Sequence, residues 1–183
     1  IDSSIFSSEN SEKRKDLLFV GNIIKRKGVY FLINSLSTFL LENHNVQLRI
    51  IGKKEDNKYY SKINEIVNKK NLQKRVIFLG EIGQEEIAKY MNSSKILLMA
   101  SSSEGLPRVL IEAGFCGLPS IASNIDGIHD PFSLKGGTLV YELNSEKEFL
   151  KNVNSLYNNE VLWMELSQQS LKLSEEIAGK GSF

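Results

Sequence analysis

Three short apolar runs, each closed by a glycine, narrow the folds open to this chain more than any other feature. They are LLFVGN (17–22), VQLRIIG (46–52) and RVIFLG (75–80). Each is too short for a buried helix; LLFVGN, apolar without a break before its glycine, reads as a strand buried on both sides, and the other two read as further strands. The stretches between them change period. Val29, Leu32, Ile33, Leu36 and Leu40 fall at helical spacing within residues 28–42, and Ile63, Ile66 and Val67 do so between Tyr59 and Lys70. The alternation then continues with QEEIAKYMN (84–92) as a short helix, KILLMA (95–100) as a fourth strand and Pro107 to Cys116 as a helix. LPSIAS (118–123) and GTLVY (137–141) read as the fifth and sixth strands, and two helices, about 145–158 and 160–177, follow. The pattern implies an α/β domain over 17–183, with a doubly wound parallel sheet of about six strands covered by helices on both faces. Residues 1–16, rich in Ser, Asn and charge, read as a linker segment or surface arm. Sheets of this kind take ligands outside the carboxyl ends of their strands, beside helix N-termini. The unusual residues of this chain fall there.

Composition excludes several classes of function. With 183 residues the chain is long enough for one substantial core, and a formal charge of +1 gives no global field toward nucleic acid or anionic lipid. A single cysteine, Cys116, cannot form an internal disulfide, which fits a reducing, cytoplasmic setting. No apolar run approaches the roughly 18 residues of a membrane span, and the polar start IDSSIFSSENSEKRKD is unlike a signal peptide.

The stretch SSSEGLPRVLIEAGFCGLPSIAS (101–123) carries two carboxylates, Glu104 and Glu112, eight residues apart. With Glu104 in the loop after the fourth strand and Glu112 on the next helix, the rise alone separates them by roughly 12 Å. A hydrolytic carboxylate pair works at roughly 5 to 9.5 Å, so these two do not form a dyad. They suit the two ends of one extended ligand. Pro107 is expected as the first helical residue, which leaves the amides of Arg108 and Val109 as free donors at the positive end of the helix. Hydroxyls at either end and a phosphate in the middle describe a sugar linked through diphosphate to a ribonucleoside. The simpler alternative makes Glu104 a first-turn charge and Glu112 a solvated helix residue.

A second feature, GNIIKRKGV (21–29), follows the first strand. Gly21 permits a tight turn, and Lys27 at the start of the next helix offers a phosphate a mobile positive charge. The alternative is that Lys25, Arg26 and Lys27 form a solvated loop. Neither a Walker loop nor a G-x-G-x-x-G is present, so a nicotinamide or flavin site has no support. Among other residues, His129 in IDGIHDP lies on the presumed ligand side, His44 reads as a surface loop residue, Cys116 as a small buried one, and Trp163 and Tyr157 as packing.

Taken in order, FVGNIIKRKGVYFLINSL, LRIIGKKED, the segment from RVIFLG through SNIDGI, and GGTLVYELN resemble the carboxy-terminal domain of family-4 retaining glycosyltransferases of the GT-B fold. That resemblance covers roughly residues 1–160, and the E-x7-E block followed by E-A-x-x-x-G-x-P is its most specific part. It implies one Rossmann-like half of a two-domain enzyme: this half binds the nucleotide-sugar donor, and an amino-terminal half outside this sequence holds the acceptor. By motif, Glu104 would contact the donor sugar, Lys27 the phosphates and Glu112 the ribose hydroxyls. Gly21 and Asn22 would border the diphosphate, and Gly105, Leu106, Pro107, Arg108 and Val109 would line the sugar and diphosphate. Ile82 and Gly83 would lie near the base. The resemblance implies metal-independent, retaining transfer without a cofactor, at the cytoplasmic face of a membrane that presents the acceptor. It also implies that this half alone transfers no sugar.

Two departures stand out. Asn22 occupies a position where the family usually carries an arginine that clamps the diphosphate, and Lys25 and Arg26 are the candidates to compensate. Pro107 replaces a glycine found in some members and has no N–H to offer a sugar hydroxyl. Two other readings therefore stand beside the transferase: a non-catalytic nucleotide-sugar-binding module, and another GT-B enzyme such as a nucleotide-sugar epimerase.

Overall fold

The computed structural model describes residues 4–8, 14–128, 132–133 and 136–179. Six strands, β1 (Asp16–Val20), β2 (Leu48–Ile51), β3 (Val76–Gly80), β4 (Ser94–Met99), β5 (Ser120–Ser123) and β6 (Thr138–Tyr141), form one sheet. The helices are α1 (Val29–Glu42), α2 (Asn57–Lys69), α3 (Gln84–Ser93), α4 (Arg108–Phe115), α5 (Glu146–Asn158) and α6 (Glu160–Gly179). All neighbouring strands pair in parallel, in the order β3-β2-β1-β4-β5-β6. The chain winds outward from β1 to one edge, then crosses back to β4 and winds to the other. The order therefore reverses between β1 and β4, and a crevice opens there at the carboxyl ends.

The apolar runs become strands because both faces are covered. Along β4, Ile96 and Leu98 point into a core shared with α1, α2 and α5, while Leu97 and Met99 point into a second core against α3 and α4. In β1 the same alternation sends Leu17 and Phe19 to the first core and Leu18 to the second. Each fully buried leucine or isoleucine contributes roughly 1.5–3 kcal/mol relative to an exposed one. The two cores thus hold the strand ends, and the loops that leave them, in fixed positions.

Two details differ from the sequence-based expectation. The opening segment is anchored rather than free: Phe6 is 2% exposed in the second core, and Asn92 Nδ2 donates to the Ser7 carbonyl at 2.8 Å. One aromatic side chain suffices to fasten an otherwise polar arm. The strand also begins earlier, at Asp16, because this carboxylate is paired. Asp16 accepts from the Gln47 N–H at 2.9 Å and meets Arg49 Nη2 at 2.7 Å, and the Arg49 guanidinium lies over the Tyr90 ring. Asp16→Ala is expected to lower the unfolding free energy by about 2 kcal/mol. That is less than the roughly 3–5 of a wholly buried pair, since Arg49 keeps access to water. Urea denaturation of the variant measures it.

Candidate functional site

The residues singled out in two separate stretches of sequence meet at the reversal point. After β1 the chain makes one 3₁₀ turn, Lys25–Lys27, and then enters α1 through Gly28. Gly28 is left-handed at φ 69°, ψ 21°, and a Cβ there would lie 2.2 Å from the Ala100 carbonyl oxygen at the end of β4. Only glycine lets the turn close on β4 this tightly. As a result Lys27 Nζ donates to Glu104 Oε1 at 2.5 Å. Arg26 approaches the other carboxylate oxygen at 3.7 Å and donates to the Ser103 carbonyl at 2.6 Å. The Ser102 N–H in turn donates to the Arg26 carbonyl at 2.9 Å, so the two loops are laced together. Glu104 is 10% exposed and Lys27 20%, so this pair is largely desolvated, whereas Lys25 and Arg26 stay exposed to water as the solvated-loop alternative has them. The Lys27 stem passes beside Gly21.

The loop from Glu104 into α4 is supported from below. The loop after β5 brings Gly127 so close that a Cβ there would meet the Gly105 carbonyl at 2.4 Å. Above, Gly105 and Gly83 both face open space, while Ile82 packs against the second core. Leu106 is half exposed. Pro107, expected as the first helical residue, instead lies just before α4: its ψ is 82°, and the helix starts at Arg108. The Arg108 N–H is therefore not a free donor. It closes a three-residue turn to the Leu106 carbonyl at 2.9 Å, for which the proline's fixed φ is well suited. The Val109 N–H has no acceptor among the described residues, so it remains available at the helix start.

Glu112 lies one turn along α4. Burial pushes its carboxyl above the ordinary range, and Arg108, one turn earlier, draws it partly back. The solvated-helix alternative thus gives way to a partly desolvated carboxylate. At neutral pH this group is ionised in the unfolded chain without cost and in the folded chain at some cost; when protonated in both states it costs nothing. Glu112→Gln is therefore expected to raise the melting temperature at pH 7, with the gain gone below about pH 4. Melting curves at the two pH values check this.

Asn22, where the resemblance would put an arginine, is already engaged: its Nδ2 donates to Glu55 Oε1, in the loop after β2, at 2.9 Å. Glu55 had no signal in the sequence beyond its charge. A cleft of about 630 Å³ lies on the other side of the turn, lined by Lys25, Tyr30, Tyr59, Lys62 and Lys69 among others; neither Lys27 nor Glu104 reaches it. Lys25 thus faces away from the carboxylate that Arg26 approaches. Of the other candidates, His44 is exposed, His129 lies outside the described residues, and Cys116 is buried at the end of α4. Trp163 donates to the Lys95 carbonyl at 2.6 Å and Tyr157 packs edge-on against Phe39, so both are structural. Among the described residues no group of three or more His, Cys, Asp or Glu is placed to hold a metal ion. No helix among them is long and apolar enough to cross a membrane.

Known proteins share this arrangement of fold and sequence. An uncharacterised glycosyltransferase of Methanocaldococcus jannaschii is 29% identical over 161 residues, which is 88% of this chain and 43% of that protein. The chain therefore spans less than half of that relative. The crystal structure of the C-terminal domain of a group 1 glycosyl transferase from Francisella tularensis superposes with a TM-score of 0.85 at 19% identity, over 99% of this chain and 98% of that one. Anabaena HepE, solved in complex with UDP and glucose, superposes at 0.84 with 16% identity, over 100% of this chain and 55% of that one. These two show a shared GT-B-type α/β fold. The sequence profile of glycosyl transferases group 1 matches residues 1–173, and the chain belongs to that family.

Proposed function

We propose that this chain is the donor-binding half of a retaining, metal-independent hexosyltransferase, taking a nucleotide-diphospho-sugar. The observation that carries the reading is the meeting of Lys27 and Glu104 at the crevice between β1 and β4. The base lies toward Ile82 and Gly83, and the ribose hydroxyls donate to Glu112. The diphosphate rests between Lys27 and the helix start at Val109, bordered by Gly21 and Asn22, and the sugar lies over Gly105 to Arg108 with its hydroxyls on Glu104. That a relative of the same fold was solved with UDP and glucose supports the ligand class. In transfer, Lys27 and the Val109 amide stabilise the charge that grows on the departing diphosphate. The nucleophile is a hydroxyl of the acceptor, held by an amino-terminal domain of the longer protein at the cytoplasmic face of a membrane.

Lys27 is neutralised by Glu104 before any ligand arrives, so the phosphates must compete with a carboxylate 2.5 Å from the ammonium. Binding to this chain is therefore expected to be weak, with dissociation constants near millimolar for UDP or GDP, and no sugar is transferred without the acceptor domain. Calorimetry on the chain with both nucleotides is the test; no heat from either at millimolar concentration overturns the site. A second reading, a binding module without catalysis, draws on one contact. Asn22 and Glu55 put a neutral amide and a carboxylate beside the diphosphate position. A longer protein that binds the donor yet transfers nothing to any acceptor would favour it.

A further inference from the structure

We infer that Arg26 is a positioning residue for Glu104: it keeps that carboxylate in place when the donor phosphates draw Lys27 away. The inference rests on the donor-site reading above and extends it to a residue that reading does not use.

Glu104 has two carboxylate oxygens and two cations, Lys27 on Oε1 at 2.5 Å and Arg26 on Oε2 at 3.7 Å. Lys27 is a point charge on a flexible stem and can turn toward an incoming phosphate. A diphosphate carries more charge than one carboxylate, so it draws the ammonium toward itself and leaves Glu104 with one partner fewer. A nearly buried carboxylate without a partner is costly and would swing toward solvent. Arg26 is built to prevent this. Its Nη1 donates to the Ser103 carbonyl at 2.6 Å and the same nitrogen, with a second N–H, lies 3.7 Å from Oε2, while its own carbonyl accepts from the Ser102 N–H at 2.9 Å. The planar guanidinium can serve both acceptors at once, which an ammonium on a mobile stem does less well. Alternatives nearby are spent or turned away: Asn22 is held by Glu55, and Lys25 lines the cleft on the far side of the turn.

The test compares two ligands on this chain by calorimetry, UDP and UDP-glucose, with GDP and GDP-mannose as the second pair. With nucleoside diphosphate alone, a Glu104 released by Lys27 can swing into the empty sugar position and be hydrated, so Arg26→Gln is expected to leave that affinity within about twofold. The affinity for the matching nucleotide-sugar falls about tenfold, the value of one hydrogen bond to a charged group. Arg26→Lys, which keeps the charge, recovers part of that loss. A residue that only builds the loop would lower both affinities together, alongside the melting temperature, and Lys would not restore the difference. That outcome overturns the inference, as does Arg26→Gln with both affinities unchanged. A wild-type chain that binds none of the four ligands overturns the donor-site reading itself, and this inference with it. Wild-type binding without the split in Arg26→Gln overturns the inference alone.

Discussion

Gly28→Val is expected to lower the unfolding free energy by about 4 kcal/mol and to abolish nucleoside diphosphate binding. Two costs combine. The residue is left-handed at φ 69°, a conformation that disfavours a β-branched side chain strongly. The added Cβ would also lie 2.2 Å from the Ala100 carbonyl and 2.8 Å from the Ala100 Cβ, so the turn must lift off β4. Lifting it separates Lys27 and Arg26 from Glu104 and exposes the start of α1, whose Val29 is fully buried. Gly105→Ala supplies the control. A Cβ there meets nothing within 4 Å, so its stability should stay within about 0.5 kcal/mol of wild type, while the methyl projects into the space assigned to the donor. Urea denaturation followed by circular dichroism, with calorimetry on whatever folds, separates the two. A Gly28→Val chain that unfolds at the wild-type midpoint would show that the turn is not held by close contact with β4.

The contrast between these glycines shows what a sequence reveals and what it conceals. Runs such as KILLMA and LLFVGN announce the sheet because burial on two faces demands continuous apolar residues, and that demand is local. The reversal between β1 and β4 follows from connectivity, and it is what brings a lysine at position 27 to a glutamate at position 104. Gly28 and Gly105 look alike in sequence; only the path of β4 makes one indispensable and leaves the other open. The helix start at Pro107 was legible to within one residue, yet that residue decides how many amides are free. A proline's φ suits both a helix and a tight three-residue turn, and ψ, which the sequence does not dictate, chose the turn. Arg26 was hidden in a run of three cations, whose directions depend on one turn of 3₁₀ helix. Nothing in the sequence indicates that Asn22 and Glu55 would pair, because the contact joins two loops whose spacing is set by the strands beneath them.

Lys27→Ala and Glu104→Gln are expected to act in opposite directions on binding and in the same direction on turnover. In the longer protein, removal of either is expected to lower the transfer rate about 10²- to 10³-fold, the usual scale for losing one preorganised charge at a reacting centre. In binding, Lys27→Ala removes the cation and weakens UDP or GDP roughly tenfold. Glu104→Gln removes the carboxylate that occupies Lys27 at 2.5 Å in the absence of ligand. Nucleoside diphosphate should then bind severalfold more tightly, and the double variant should return to the affinity of Lys27→Ala alone, because without the lysine there is nothing for the glutamate to withhold. Tighter binding with lost turnover is the mark of a group whose work is done on the sugar and whose charge opposes the leaving group's return to the site. An ion pair with a merely structural role gives a different pattern: both variants destabilise the loop, both weaken the nucleotide, and the double variant costs no more than either single one. Calorimetry of the four chains therefore discriminates between a donor clasp and a structural bridge before any acceptor is known.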